Sequence, residues 1–309
     1  MLERVVCARG WVQRVRDRGA TKTLRKEGEK DNGEWGDNEM VRIHAVSRYK
    51  EGRKTLGPST LPLNSFKMVA VLVTGANRGI GLGLVRQLVK EPSVDIVIAT
   101  ARDVGKAVDL KAIDSPKLHL LKLEIVDEKS IAVAEKKFAG IVGDNGLDIL
   151  INNAGIFNKA RLNEQFSKDL VMEQLEVNTV APLMITNKFY GLLKKAADKK
   201  GSAQVANISS MAGSIDFAPV MASHPTPTAI YAMSKTALNM LTVKLSLEWK
   251  QDNIRATCFC PGWVKTDMGG DNAMLTLDES TVPLTKLILS LTEDHNGKYF
   301  RYDGEKIAW

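Results

Sequence analysis

Val69-Ala-Val-Leu-Val73 runs directly into Thr74-Gly75-Ala76-Asn77-Arg78-Gly79-Ile80-Gly81, and a helical pattern follows from Gly79. The apolar, β-branched run predicts a buried strand, and the glycines put a tight turn between it and the helix. Glycine permits the sharp turn and lets backbone approach a pyrophosphate closely, while the helix N-terminus adds unpaired N–H groups and a partial positive charge. A glycine triplet alone would be weak, because turn glycines are common. Its place between strand and helix marks this one as a nucleotide-binding turn.

Downstream, short β-branched runs alternate with longer helical patterns, as a parallel sheet covered on both faces requires. Strands are predicted at 69–73, 95–100, 117–123, 147–151, 204–208, 255–260 and 298–302, with helices beginning near Gly79, Lys129, Ser167, Tyr231 and Leu277. Seven strands joined by right-handed crossovers give an α/β fold, a Rossmann-type doubly wound parallel sheet. It is expected as a single domain over residues 68–309.

Residues 1–67 hold 15 Lys/Arg against 9 Asp/Glu and lack sustained apolar periodicity, so they read as a basic, largely disordered extension. An organelle-targeting arm, an interaction tail and a functionless translated segment all fit. Arg4, Arg9, Arg14, Arg16 and Arg18 favour targeting, whereas Glu3, Asp17 and the lack of serine before Ser47 argue against it. Of the formal net charge of +7, this extension carries +6. The body is therefore nearly neutral, and no nucleic-acid partner is expected. No apolar run approaches the roughly 18 residues of a membrane span, and no secretory signal opens the chain, so a cytoplasmic location is expected. Cys7, Cys258 and Cys260 make no disulfide framework, and His44, His119, His224 and His295 have no ligand spacing, so no metal is expected.

Gly75-x3-Gly79-x-Gly81, Asn152-Asn153-Ala154-Gly155 and Tyr231-x3-Lys235 together resemble the short-chain dehydrogenase/reductase family, over essentially all of residues 68–309. Within it, Thr74 to Leu84, Ala99-Thr-Ala-Arg-Asp103, Phe259-Cys-Pro-Gly-Trp263 and His295-Asn-Gly297 are similar to sniffer-type carbonyl reductases and C-factor-like proteins. The resemblance implies reduction of a small aldehyde, ketone or quinone by NADPH. The alternative is an NADP(H)-binding regulatory protein with little turnover. A sugar-nucleotide epimerase shares the Tyr-Lys pair but is disfavoured by the glycine spacing.

NAD-preferring enzymes of this fold place a carboxylate about 20 residues beyond the glycines, on the ribose 2′-hydroxyl. Here Ala101 and Arg102 stand there. A guanidinium fits a 2′-phosphate bidentately and Arg78 offers a second cation, so NADP(H) is the expected cofactor. Asp103 is the neighbour that could pair with Arg102. The resemblance implies further cofactor contacts from Gly75, Asn77, Gly79, Ile80, Gly81, Asn153, Ala154, Gly155, Tyr231, Lys235, Pro261 and Gly262, and from Val264 and Thr266 to the nicotinamide carboxamide. Glu124 stands where the family often has an aspartate, and no role is assigned to it.

Tyr231 and Lys235 share one helix face. Two unit charges about 4 Å apart at an effective dielectric near 20 interact by about 4 kcal/mol, or roughly three pKa units, so Lys235 is expected to lower Tyr231. The resemblance implies that Tyr231 donates the proton and that Lys235 also binds ribose. It further implies that Ser210 orients the carbonyl oxygen, with Ser209 as fallback, and that Asn178 holds a water supplying Lys235. The segment from Ser214 to Ala229 is expected to line the substrate mouth. Met233, Met240, Val243 and Leu247 spread apolar surface beyond the Ala237, Leu241, Leu245 row, so a homodimer or homotetramer is expected through this helix.

Overall fold

The computed structural model describes residues 68–221 and 226–309, together with the backbone of Val5–Cys7 and Gly10–Val12. The body is one parallel sheet of seven strands: β1 (Ala70–Val73), β2 (Ile96–Ala101), β3 (Leu118–Lys122), β4 (Ile149–Asn152), β5 (Ala203–Ile208), β6 (Ile254–Cys260) and β7 (Tyr299–Arg301). Their spatial order is β3-β2-β1-β4-β5-β6-β7. This is the Rossmann-type order expected, and it opens a crevice beyond the C-terminal ends of β1 and β4, where successive connections leave in opposite directions.

The main helices are α1 (Gly79–Leu88), α2 (Glu128–Val142), α3 (Lys168–Leu175), α4 (Ala181–Lys188), α5 (Tyr190–Lys200), α6 (Ala229–Glu248) and α7 (Leu277–Leu289). Because side chains alternate along a strand, each strand feeds two cores. Leu72, Ile98, Leu150 and Val205 meet Phe138, Phe189 and Leu193 on one face. Val71, Val97, Ile151 and Phe259 meet Leu84, Leu88, Leu284 and Ile288 on the other.

Observed strand ends lie within two residues of the expected ones. The larger departure lies after Ser167, where the sequence suggested a single helix start. Ser167 does cap α3, accepting from the Leu170 N–H at 3.2 Å, but a π turn at Glu176–Val180 follows, then α4 and α5. Pro182, in the first turn of α4, has no N–H, so the Asn178 carbonyl four residues back loses its α-helical donor.

Val5–Cys7 and Gly10–Val12 pair antiparallel, where the sequence reading placed no strand. The reading of the remainder of 1–67 as disordered lies outside the described residues, as do His44, His224 and Pro225. No helix of the described residues is long and apolar enough to cross a membrane.

Candidate active site

The crevice at the ends of β1 and β4 holds a cavity of about 560 Å³ lined by the glycine turn, Arg102, Asn153 to Ile156, Tyr231 and Lys235. Gly75 has φ +62°, a conformation that favours glycine. Gly81 carries the tightest demand: a Cβ there would lie 2.4 Å from the Gly75 carbonyl oxygen and 2.5 Å from Asn153 Nδ2. Asn153 Nδ2 donates to the Thr74 and Gly75 carbonyls at 2.8 and 3.0 Å, and Thr74 Oγ1 accepts from the Asn153 and Ala154 N–H groups at 3.0 and 3.1 Å. Asn153 and Ala154 thus lock the end of β4 to the turn. No side chain caps the N-terminus of α1 and no acidic residue sits in its first turn, so its N–H groups and positive end stay available to an anion.

Arg102 follows β2 on the wall of this cavity. Asp103 does not pair with it: the Asp103 carboxylate accepts from the Lys106 N–H at 3.3 Å and lies 3.7 Å from Lys106 Nζ. Arg78 reaches across the cleft to Asp267, 2.7 Å away. Asn77, Ile80, Gly155 and Glu124 also line the cavity. The Glu124 N–H donates to Ser130 Oγ at 2.8 Å.

A second cavity of about 550 Å³ adjoins the first and shares Ile80, Ser209, Tyr231, Pro261 and Thr266 with it. Phe157, Met211, Met221, Trp263, Met274 and Tyr302 make it largely apolar. Gly262 and Val264 face this second cavity, not the first, whereas Thr266 borders both. Thr226 and Thr228 bring the segment between Ser214 and Ala229 to its wall. Trp263 Nε1 donates to the Gly269 carbonyl at 2.8 Å.

Tyr231 lies where the two cavities meet, with the Phe157 ring tilted against it at 4.7 Å between centroids. The two serines separate cleanly. Ser209 is buried and donates from Oγ to Asn239 Oδ1 at 2.6 Å. Ser210 caps the turn Met211–Gly213, accepting from the Ala212 N–H at 3.2 Å, and lines the second cavity together with Tyr231. Lys235 is buried, 5.7 Å from the Tyr231 ring centroid, and donates to the Ile208 carbonyl at 2.8 Å.

Burial raises the Tyr231 phenol well above the ordinary tyrosine range, and the Ser210 hydroxyl opposes this only in part. The expectation that Lys235 would lower Tyr231 is thus reversed in the free protein. Burial also draws the Lys235 ammonium down to about 8. Spacing reflects only the attraction between two charges, whereas both groups first lose solvation.

Asn178 sits in the π turn, fully buried. Its Oδ1 accepts from the Ile156 N–H at 2.9 Å, and its Nδ2 donates to the Ile156 carbonyl at 2.9 Å and to Ser234 Oγ at 3.0 Å. A Cβ on Gly155 would lie 3.1 Å from Asn178 Oδ1 and 3.6 Å from Lys235 Nζ, so glycine keeps that corner open. Among the described residues no group of His, Cys, Asp or Glu could hold a metal ion. The sequence reading missed Phe157, Asp267 and Asn239, none of which stands in a motif.

A family model described as short chain dehydrogenase matches residues 69–274. The chain belongs to the short-chain dehydrogenase family. One such relative, the short-chain dehydrogenase srdF of Neurospora crassa, is 30% identical over 256 residues, 77% of this chain and 97% of its own length. Among solved structures, an NADPH-bound carbonyl reductase from chicken fatty liver is 37% identical with a TM-score of 0.73, covering 79% of this chain and all of that one. The carbonyl reductase Sniffer of D. melanogaster is 35% identical with a TM-score of 0.73, covering 78% and 100%. As a short-chain dehydrogenase, the chain is an oxidoreductase of the Rossmann type, and the two cavities around Tyr231 are its candidate active site.

Proposed function

We propose that residues 68–309 form the catalytic domain of an NADPH-dependent carbonyl reductase that reduces a small aldehyde, ketone or quinone. The observation that carries this reading is the placement of Tyr231 at the meeting of a glycine-walled cleft and an apolar cavity, with Ser210 on the wall of the apolar one. Likeness to an NADPH-bound carbonyl reductase supports the cofactor assignment.

The first cavity fits a dinucleotide phosphate. A Cβ at Gly75 would collide with Ala154, and one at Gly81 with the Gly75 carbonyl and Asn153, so glycine lets the turn close onto β4; the α1 N-terminus suits the pyrophosphate, and Arg102 has no ion-pair partner among the described residues, which suits a 2′-phosphate. A reduced nicotinamide held there would supply the hydride for the carbonyl carbon. Tyr231 gives its proton to the carbonyl oxygen. Its raised pKa keeps that proton in place until the oxygen becomes basic. Ser210 donates a hydrogen bond to the same oxygen as charge develops. The Lys235 ammonium stabilises the tyrosinate as it forms and holds the ribose hydroxyls, with greatest effect in the transition state. Asn178, beside Lys235 across Gly155, carries the water that returns the proton. The apolar second cavity takes the substrate body and keeps bulk water from the reacting carbon.

The enzyme works as a homodimer or homotetramer built on α6, where Met233, Met240 and Leu247 are 55%, 60% and 66% exposed. Light scattering at micromolar concentration that gave a monomer mass would remove this element.

Tyr231→Phe tests the reading. It should abolish turnover and leave NADPH affinity nearly intact, because the ring still packs against Phe157 while the proton is gone. Lys235→Ala should weaken both affinity and rate. Retention of more than about a tenth of wild-type activity by Tyr231→Phe, against the 10²-fold or larger loss expected on removing a general acid, would show that another group supplies the proton.

A further inference from the structure

The catalytic helix α6 carries a polar stripe that continues past the reacting pair: half-buried Tyr231, buried Lys235 and then buried Asn239, at successive spacings of four, with Asn239 3% exposed. Each amide group of Asn239 is committed. Its Oδ1 accepts from Ser209 Oγ at 2.6 Å and from Cys258 Sγ at 3.0 Å, and its Nδ2 donates to the Gly213 carbonyl at 3.0 Å. Ser209 and Gly213 flank Ser210 and the turn it caps. Asn239 therefore grips both ends of the segment that carries Ser210, from the helix that carries Tyr231.

The grip is close and dry. A Cβ on Gly213 would lie 2.8 Å from the Lys235 carbonyl carbon, so turn and helix touch backbone to backbone, and no solvent gap takes up an error in their spacing. Thr236 Oγ1 also donates to the Gly213 carbonyl at 2.9 Å. It holds only the far end of the segment and has no bond to Ser209.

We propose that Asn239 is a positioning residue for carbonyl reduction, setting the Ser210 hydroxyl against the Tyr231 hydroxyl by clamping the Ser209–Gly213 segment onto α6. Asn239 touches neither cavity and acts only through Ser209 and Gly213. This rests on the assignment of Ser210 and Tyr231 as the reacting hydroxyls. Both must meet one carbonyl oxygen, and a misplacement of about 1 Å at such a site can cost roughly 10²-fold in rate. Asn239 does not border the nucleotide cleft and reaches it only through Ser209, whose hydroxyl is buried against Asn239, so cofactor affinity should change little.

The test compares Asn239→Leu, Ser209→Ala and the double variant with wild type and Tyr231→Phe. The readouts are kcat on a small aldehyde and an o-quinone, NADPH Kd by fluorescence, melting temperature, and the isotope effect with NADPH deuterated at the transferred position. Asn239→Leu should lose about ten- to 100-fold in kcat, keep its NADPH Kd within about twofold, and show an enlarged isotope effect as hydride transfer becomes limiting. Ser209→Ala should fall in the same direction by less, and the double variant should lose little beyond Asn239→Leu, because both changes open one clamp. Full kcat in Asn239→Leu, or kcat and NADPH affinity falling together without a change in isotope effect, would overturn the proposal. If Asn239→Leu does not fold, Ser209→Ala decides by the same split between kcat and Kd. An active Tyr231→Phe would instead overturn the assignment beneath it.

Discussion

Gly81→Ala should damage the nucleotide cleft although alanine is the better helix former. Gly81 lies in the first turn of α1 with no left-handed backbone requirement, so the substitution gains about 1 kcal/mol of helix propensity. The new methyl would nevertheless stand 2.4 Å from the Gly75 oxygen and 2.5 Å from Asn153 Nδ2, against about 3.5 Å for an unstrained approach. The turn must retreat by roughly 1 Å. Asn153 Nδ2 bridges the Thr74 and Gly75 carbonyls, so the retreat breaks at least one bond, costing about 1 kcal/mol beyond the 1–3 kcal/mol of overpacking. The net loss is about 1–3 kcal/mol of stability. Because the displaced atoms form the proposed pyrophosphate cradle, NADPH affinity should fall by at least about tenfold, or 1.4 kcal/mol. Fluorescence titration with NADPH and melting curves with and without nucleotide measure both. An unchanged Kd and melting temperature would show that the methyl had found room that the geometry denies.

Arg102→Ala should raise the NADPH Michaelis constant by about tenfold or more, with NADH much less affected, as loss of a charge-assisted contact of ~1.5–3 kcal/mol requires; equal losses for both cofactors would remove the phosphate role. With the Lys235 pKa lowered to about 8, the ammonium is present below that pH and lost above it. Tyr231, raised by burial, keeps its proton throughout. In reduction, kcat/KM should therefore fall as pH rises through about 8, and a fall only near the ordinary lysine value would contradict the assignment. Lys200→Met should destabilise the fold by about 3–5 kcal/mol, because Lys200 and Asp148, 6% and 11% exposed, meet in a buried pair that also ties Met68 and Ala70 to the sheet. Asp148 is already raised by its burial, so acidification that protonates it should narrow the difference in melting temperature between variant and wild type.

The sheet was legible because its determinants are local. The unbroken apolar run Val69 to Val73 marks a buried strand, and Gly75 and Gly79 have positive φ, which sequence records as glycine. Register and spacing pointed to Arg102 and Tyr231, and both line the first cavity. Asn239 was not, because its partners lie between 19 and 30 residues away on other elements, and the only sign is a polar residue one turn beyond Lys235 on a mostly apolar helix. The link from Arg78 to Asp267 spans 189 positions and has no local trace. The direction of the Tyr231 shift failed for a different reason. Spacing reports that two groups are neighbours, whereas their protonation depends on how much water each has lost.

The π turn at Glu176–Val180 fixes a phase. One residue rotates an α-helix by about 100°, and the π turn already absorbs one residue more than an α turn holds, so inserting a further residue there would turn α3 by that angle relative to α4. Gln174, now buried with its amide oxygen accepting the Asn158 N–H, would swing toward solvent, and Glu173 would leave the wall of the first cavity. Many side chains in this stretch can change without moving the helices. A change in its length would move them all, so residues 168–188 should tolerate substitution far better than insertion or deletion.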